Sequence, residues 1–136
     1  MPLNNERTKL MLAAQSGAEN AYAPYSGFRV GAAVLGENGV IYTGCNVENA
    51  SYGLTNCAER TAMFKMVSEG CKKFSALAIY APDAKTDVWP CGACRQVMVE
   101  LCSSPDTPVY IMRKDKTENE STVSKLMPAS FSAEQL

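Results

Sequence analysis

The sequence contains no histidine, and this absence narrows the metal chemistry open to it. Ligation of a transition metal then falls chiefly to thiolates and carboxylates. The chain has six cysteines, and two of them form the motif Cys91-Gly92-Ala93-Cys94. In a reducing cytosol, cysteines in such a motif are more often thiols or metal ligands than members of disulfides.

Long hydrophobic runs are also missing. No stretch approaches the roughly 20 apolar residues that a membrane-spanning helix requires. The first ten residues, MPLNNERTKL, are polar where a secretion signal would carry an apolar core. We therefore expect a cytoplasmic protein that does not associate with a membrane.

An excess of positive charge is the third feature that the chain lacks. Thirteen basic residues against fourteen acidic ones give a net charge of -1. Proteins that bind nucleic acid present a basic surface to the phosphates, and many stack bases on aromatic side chains set among basic residues. Here the aromatic residues are scattered and no basic stripe lies between them. We expect a small neutral substrate and no nucleic-acid partner.

The length and composition predict one domain that spans residues 1–136. At 136 residues and 46% hydrophobic content, the chain is large enough for one core and too small for two. No internal repeat, low-complexity tract or linker interrupts it. One functional site is therefore expected.

Residue periodicity predicts the element order α-β-β-α-β-α-β-β, typical of a layered α/β domain whose mixed sheet begins with a hairpin. The first predicted elements are a helix over 5–22 capped by Asn5 and two strands, over 28–34 and 40–43, joined by an Asn38-Gly39 turn. A helix follows the Asn56-x-x-Glu59 capping pattern, then a strand over 74–80 and a helix with Pro90 in its first turn. The last elements are a strand over 109–112, a weak strand near 120–123 and a short helical turn before Pro128.

Two of these helices begin at cysteines. Cys57 opens one, and Cys91 and Cys94 open the other after thirty-three intervening residues. A helix amino terminus favours a thiolate over a thiol, and residues three apart share a helix face. The three sulfurs can therefore hold one Zn²⁺ per chain and leave its fourth position open for water, the arrangement of catalytic zinc.

Each part of this pattern has an ordinary explanation when taken alone. A Cys-x-x-Cys motif also fits a redox dithiol or half of a structural zinc site, and Glu59 also fits a helix cap. The combination is more specific. A ligand, an acid two residues later, and Pro-Cys-x-x-Cys beyond a strand form the zinc-deaminase signature, here with cysteine instead of the usual histidine at the first ligand.

The sequence resembles the small zinc-dependent cytidine deaminases that use three cysteines and assemble as homotetramers. The motifs that carry the resemblance are APYS (23–26), NVENA (46–50), CAERTA (57–62), CGACRQ (91–96) and LMPASF (126–131). The resemblance implies a three-layer α/β/α domain with a five-stranded mixed sheet. It also implies hydrolytic deamination of cytidine and deoxycytidine in pyrimidine salvage, at sites shared between subunits.

The resemblance also implies roles for individual residues. Glu59 would carry a proton from water to N3 of the base and then assist ammonia release, and the main-chain N–H of Ala58 would orient the base. Asn46 and Glu48 would hold the ribose hydroxyls, although without the resemblance these residues fit solvated loop positions better.

Further roles implied by the resemblance concern the pocket walls and the metal charge. Phe28 and Tyr52 would line the pocket, although alone they fit core positions, and Phe131 would reach a neighbouring subunit's pocket.

Arg60 would donate hydrogen bonds to the ligand thiolates, with Gln96 adding a neutral one. The alternative for Arg60 is a weak surface ion pair. The three remaining cysteines are assigned to packing: Cys45, Cys71 and Cys102.

Three other functions compete with nucleoside deamination. A deaminase of a cytosine-nucleoside antibiotic would keep the zinc residues, but the intact Asn46 and Glu48 pair and Phe131 argue against it. A polynucleotide-editing deaminase would need a strand-binding channel, for which the acidic balance and the length leave little room. A structural zinc module would leave Glu59 without a task.

Overall fold

Residues 2–136 are described by a computed structural model, in which five strands form one mixed sheet with helices on both faces. The elements in chain order are α1 (Pro2–Ala18), β1 (Gly31–Gly36), β2 (Ile41–Cys45), α2 (Ala58–Ser68), β3 (Phe74–Ala81), α3 (Gly92–Leu101), β4 (Pro108–Arg113), β5 (Glu118–Thr122) and α4 (Val123–Leu126). Two single-turn 3-10 helices lie at Tyr52–Leu54 and Ala133–Gln135.

The strand order β2-β1-β3-β4-β5 determines where the loops of the site begin. β3 and β4 are parallel, and the other neighbouring pairs are antiparallel. Gly31, the first residue of β1, lies opposite Cys45 of β2 on one side and Tyr80 of β3 on the other. The carboxyl ends of β2 and β3 therefore meet at the same edge of the sheet, and the segments leading to α2 and α3 start there.

Each face of the sheet has its own hydrophobic cluster, so the expected three-layer α/β/α architecture is confirmed. On one face α1 buries Leu10 and Ala14 against strand residues such as Ala33. On the other face Met63 of α2 and Met98 of α3 pack together with the opposite side chains of the sheet. Because both faces are covered, β1 is buried at every residue except Leu35, and buried and exposed side chains do not alternate along it.

Two glycines allow the helices to lie close to the sheet. A methyl group at Gly31 would lie 2.1 Å from the carbonyl oxygen of Ala14 in α1. A methyl group at Gly44 in β2 would lie 2.6 Å from the carbonyl oxygen of Ala58 and 2.4 Å from the amide nitrogen of Ala62 in α2. Both contacts are too short for any side chain, so glycine permits this packing.

The boundaries of the first helix and first strand differ from the prediction. α1 begins at Pro2, so Asn5 lies inside it, and α1 ends at Ala18 instead of Tyr22. Tyr22 leaves the helix because its N–H donates to the carbonyl of Asn46 (2.9 Å). Phe28 precedes β1 and does not pair in the sheet. The Asn38-Gly39 turn is confirmed, with Gly39 at φ +82°.

The two helix starts at the site also shift. The amino-terminal cap of α2 is Cys57, not Asn56, because Asn56 exchanges two backbone hydrogen bonds with Val47 and is therefore extended. The cap of α3 is Cys91, so Pro90 lies just before the helix instead of in its first turn. The predicted later strands are confirmed as β3, β4 and β5. In the part of the chain that the structure describes, no helix has the length and apolar character needed to cross a bilayer.

Candidate active site

The amino termini of α2 and α3 face each other, and the site lies between them. Cys57 caps α2, Cys91 caps α3, and Cys94 lies in the first turn of α3. Neither cap side chain is used in a capping hydrogen bond. The thiols are therefore free to point into the space between the helices. The two helix starts lie close together because the segments that lead to them begin at the same edge of the sheet.

The geometry of the three sulfurs fits one zinc ion. All three Sγ atoms lie within 4.8 Å of one another, and those of Cys57 and Cys91 are 3.8 Å apart. Zn–S bonds of about 2.3 Å in a tetrahedral arrangement place sulfurs about 3.8 Å apart. Cys94 is fully buried whereas Cys91 is exposed, so the cluster is enclosed on one side and open to solvent on the other.

The electrostatics of the cluster favour thiolate at Cys57. Its pKa is lowered to about 5, first because the thiol of Cys94 donates a hydrogen bond to it and then because Arg60 does so. The Nη2 atom of Arg60 lies 3.4 Å from the Cys57 sulfur. The pKa of Cys94 is raised by the same hydrogen bond to Cys57, followed by burial. Because cysteines bind metal as thiolates, metal binding would release the proton that Cys94 holds.

Glu59 lies beside the sulfurs as the second residue of α2. Its exposed fraction is only 5%, and burial raises its pKa to about 7, with the charge of Cys57 adding to the shift. A carboxyl group with such a pKa can either hold or release a proton near neutral pH. Ala58, fully buried one position earlier, contributes an N–H from the helix start, where backbone donors lack intrahelical acceptors.

The expected ribose-binding residues, Asn46 and Glu48, hold the segment that leads into β1. The Asn46 side chain accepts a hydrogen bond from the N–H of Val30 (2.9 Å) and donates one to the carbonyl of Phe28 (2.8 Å). Glu48 accepts two backbone N–H bonds, from Tyr25 (3.0 Å) and Ser26 (3.1 Å), and a hydroxyl bond from Ser26. These bonds lower the pKa of Glu48, chiefly through the Ser26 hydroxyl.

The three expected aromatic residues are placed at different depths. Phe28 is half-buried, Tyr52 is 76% exposed and Phe131 is 59% exposed. Tyr52 packs edge to face against Tyr25 with ring centroids 6.0 Å apart. Together with Glu48, these two tyrosines line a cavity of about 340 Å³. The isolated chain therefore brings Tyr52 to Glu48, while Phe131 projects into solvent.

Gln96 contacts a different partner from the one expected. Its Nε2 atom donates to the carbonyl of Phe131 (2.8 Å), not to a cysteine sulfur. Its neighbour Arg95, which the sequence reasoning did not single out, donates to the carbonyls of Pro90 (2.7 Å) and Leu126 (2.8 Å). The only signal in the sequence is the position of Arg95 directly after Cys94, because its acceptors are backbone atoms.

The chain is similar to known proteins in both sequence and structure. Residues 4–111 match the family described as the cytidine and deoxycytidylate deaminase zinc-binding region. A cytidine deaminase of Sporosarcina psychrophila is 52% identical over 94% of this chain and 93% of its own length, and one of Halalkalibacterium halodurans is 53% identical over 96% and 98%. The crystal structure of a cytidine deaminase from Burkholderia pseudomallei superposes with a TM-score of 0.86, at 44% identity over 91% of this chain and 98% of that one. With the sulfur cluster and Glu59 in place, these matches show that the chain belongs to the zinc-binding cytidine and deoxycytidylate deaminase family.

Proposed function

We propose that the chain is a cytidine deaminase that hydrolyses cytidine and deoxycytidine to uridine and deoxyuridine and releases ammonia. The observation that carries the proposal is the placement of buried Glu59 two residues after Cys57, beside three sulfurs at ligand distances. A structural zinc site needs no acid in that position. The named activity of relatives more than half identical to this chain supports the same conclusion.

Cys57, Cys91 and Cys94 hold the metal in this proposal. Zinc, when bound, supplies the Lewis acidity that lets water ionise near neutral pH. Glu59 takes the proton of the water that attacks C4 of the base. It then delivers the proton to N3 and assists the departure of ammonia. Burial suits Glu59 to this exchange, because a carboxyl with a pKa of about 7 gains and loses a proton at little cost.

The ribose is assigned to Asn46 and Glu48. After its contacts with Phe28 and Val30, the Asn46 amide keeps one unused N–H donor. The Glu48 carboxylate accepts three hydrogen bonds: Oε1 accepts two backbone N–H bonds, and Oε2 accepts one from the Ser26 hydroxyl. Oε2 therefore keeps one acceptor position. One donor and one acceptor suit a sugar hydroxyl, which offers both. The Ala58 N–H is the proposed contact to the base.

Arg60 is proposed to adjust the charge of the metal centre. Three thiolates around Zn²⁺ give a formal charge of -1, which weakens the ion as a Lewis acid. The guanidinium that contacts the Cys57 sulfur withdraws electron density from that ligand. This contact favours the tuning role over a surface ion pair. Gln96 is better assigned to holding Phe131 than to the thiolates.

We also propose that the active protein is a homotetramer with shared sites. Two features support assembly. Phe131, expected to reach a neighbouring pocket, is 59% exposed in the single chain. A groove between α2 and α3 has four apolar residues in its lining, Phe64, Val67, Val97 and Leu101, beside Ser68, Gln96 and Glu100, and Phe64 is 47% exposed. A second copy that covers this groove would bury surface that otherwise faces water.

The remaining proposals concern the domain, the substrate class, the cellular compartment and the metabolic setting. A single domain over residues 1–136 with one zinc ion acts on a small neutral nucleoside, which suits the net charge of -1 better than a polynucleotide does. A reducing, cytoplasmic compartment keeps the ligand cysteines available for metal. Pyrimidine salvage is the metabolic setting that this substrate implies.

One experiment tests the proposed function. Zinc content is measured, and the ultraviolet change is followed with cytidine, deoxycytidine, cytosine and a cytosine-containing oligonucleotide. We expect one zinc per chain and turnover of both nucleosides. Free cytosine should be far poorer, because the donor and acceptor on Asn46 and Glu48 would lack a partner. Equal activity on cytosine would refute the ribose contacts, and activity confined to the oligonucleotide would refute the nucleoside assignment.

A further inference from the structure

Two neighbouring residues of α3 hold the C-terminal segment, which we define as residues 126–131. Nη1 of Arg95 donates to the carbonyl of Leu126, and Nε2 of Gln96 donates to the carbonyl of Phe131, both at 2.8 Å. The two ends of a six-residue stretch are thus attached to consecutive positions of the helix that carries Cys94. The segment that presents Phe131 is therefore positioned by the metal-binding helix.

The same arginine also contacts the residue that precedes the metal ligand Cys91. Nε of Arg95 donates to the carbonyl of Pro90 at 2.7 Å. That carbonyl belongs to the peptide bond that joins Pro90 to Cys91, so its orientation sets the backbone from which the Cys91 thiol projects. A guanidinium is planar and presents its N–H groups in a fixed fork, so both acceptors are held in one geometry.

The carbonyls of Pro90 and Leu126 both need a hydrogen-bond donor from outside their own segments. Leu126 is the last residue of the four-residue helix α4, and the carbonyls at a helix end have no partner within the helix. Pro90 lies in the irregular segment between β3 and α3, where its carbonyl has no strand partner. Both residues are partly or fully buried, so water replaces a lost donor poorly.

We propose that Arg95 is a positioning residue that couples the zinc ligand Cys91 to the C-terminal segment carrying Phe131, with Gln96 fixing the far end of that segment. The inference rests on the proposed zinc deaminase function. It assigns Arg95 no contact with substrate. Its guanidinium links two parts of the site that are distant in sequence: the segment that precedes α3 and carries Cys91, and the C-terminal segment that carries Phe131.

The test compares three variants of the zinc-loaded protein. Arg95→Met keeps the aliphatic stem and removes every donor, Arg95→Lys keeps the charge but not the fork, and Gln96→Ala frees only the far end. Lys125→Met is the matched control, because it removes an exposed positive charge from α4 without removing a donor to either carbonyl. Zinc release to excess chelator and amide hydrogen exchange are measured on each.

We expect Arg95→Met to release zinc about 10-fold faster or more, the usual effect of losing a group that orients a metal ligand. Hydrogen exchange should rise both around residues 91–95 and around 127–132. Gln96→Ala should raise exchange only in the C-terminal segment and release zinc at the wild-type rate. Arg95→Lys should fall between wild type and Arg95→Met, and Lys125→Met should match wild type.

Wild-type zinc release together with unchanged C-terminal exchange in Arg95→Met would overturn the coupling. Equal acceleration of zinc release by Gln96→Ala would also overturn it, because the far end would then matter as much as the arginine. If Arg95→Met does not fold, wild-type behaviour of Arg95→Lys in both measurements has the same consequence. These measurements need no substrate, so failure of the wild type to deaminate cytidine would refute the proposed function alone.

Discussion

Cys57 and Cys91 occupy equivalent positions: each caps the amino terminus of a helix, and their sulfurs lie 3.8 Å apart. The two helix dipoles direct their positive ends at the same point, which stabilises anionic sulfur there. The pairing arises because the carboxyl ends of β2 and β3 flank Gly31 at one edge of the sheet.

Removal of any ligand cysteine should abolish stoichiometric zinc binding. Cys57→Ala, Cys91→Ala and Cys94→Ala each leave two protein ligands, too few to hold the ion tightly. The remaining cysteines, Cys45, Cys71 and Cys102, provide matched controls, and their alanine variants should retain one zinc per chain. Metal content of the purified proteins by atomic absorption decides the assignment, and full zinc in Cys91→Ala would end it.

Substitution of Glu59 by glutamine should remove the proton carrier and little else. Glutamine has nearly the same shape, so fold and metal content should persist. We expect kcat to fall by about 10²- to 10⁴-fold, the usual contribution of a positioned acid-base group. Steady-state kinetics and zinc content are measured together, and near-normal turnover would reduce Glu59 to a buried helix residue.

Arg60→Gln should retain zinc but lose turnover at neutral pH. With the guanidinium gone, the excess negative charge of the thiolates is uncompensated, so water near the metal ionises less readily. Activity should therefore rise as pH increases, and the pH-rate profile should shift to the alkaline side. An unchanged rate and an unchanged profile would leave the two helix termini as the source of charge compensation.

The ion pair between Arg29 and Asp83 should make stability depend on acid pH. Arg29 donates to the carboxylate from its backbone and its guanidinium (2.8–3.0 Å), and the pKa of Asp83 is lowered to about 2, chiefly by the guanidinium hydrogen bond. A lowered pKa stabilises the fold above the unfolded value of about 3.9, and this contribution disappears as pH falls through about 2.

Asp83→Asn should accordingly lower the free energy of unfolding by about 1 kcal/mol or less at pH 7, because the pair is partly exposed. Urea unfolding at several pH values measures the difference from wild type. The difference should shrink between about pH 4 and pH 2. A difference that stays constant over that range would show that the carboxylate charge contributes nothing.

The chemistry of the site was more predictable than its supporting contacts. Cys57, Cys91, Cys94 and Glu59 could be identified because residue type and spacing limit what they can do. The cap at Cys57 in place of Asn56 could not, because it depends on pairing between Asn56 and Val47, which are distant in sequence. Arg95 was missed for a similar reason: its partners are carbonyls, which every residue possesses.

The contact between Gly44 and α2 has a consequence for the dimensions of the metal centre. α2 rests on β2 with the carbonyl of Ala58 against Gly44, so the height of Cys57 above the sheet is set by a residue without a side chain. One added carbon at that position would clash with the first turn of α2 and so move Cys57 relative to Cys91 and Cys94. The spacing of the zinc ligands thus depends on a strand residue beneath α2 that does not contact the ion.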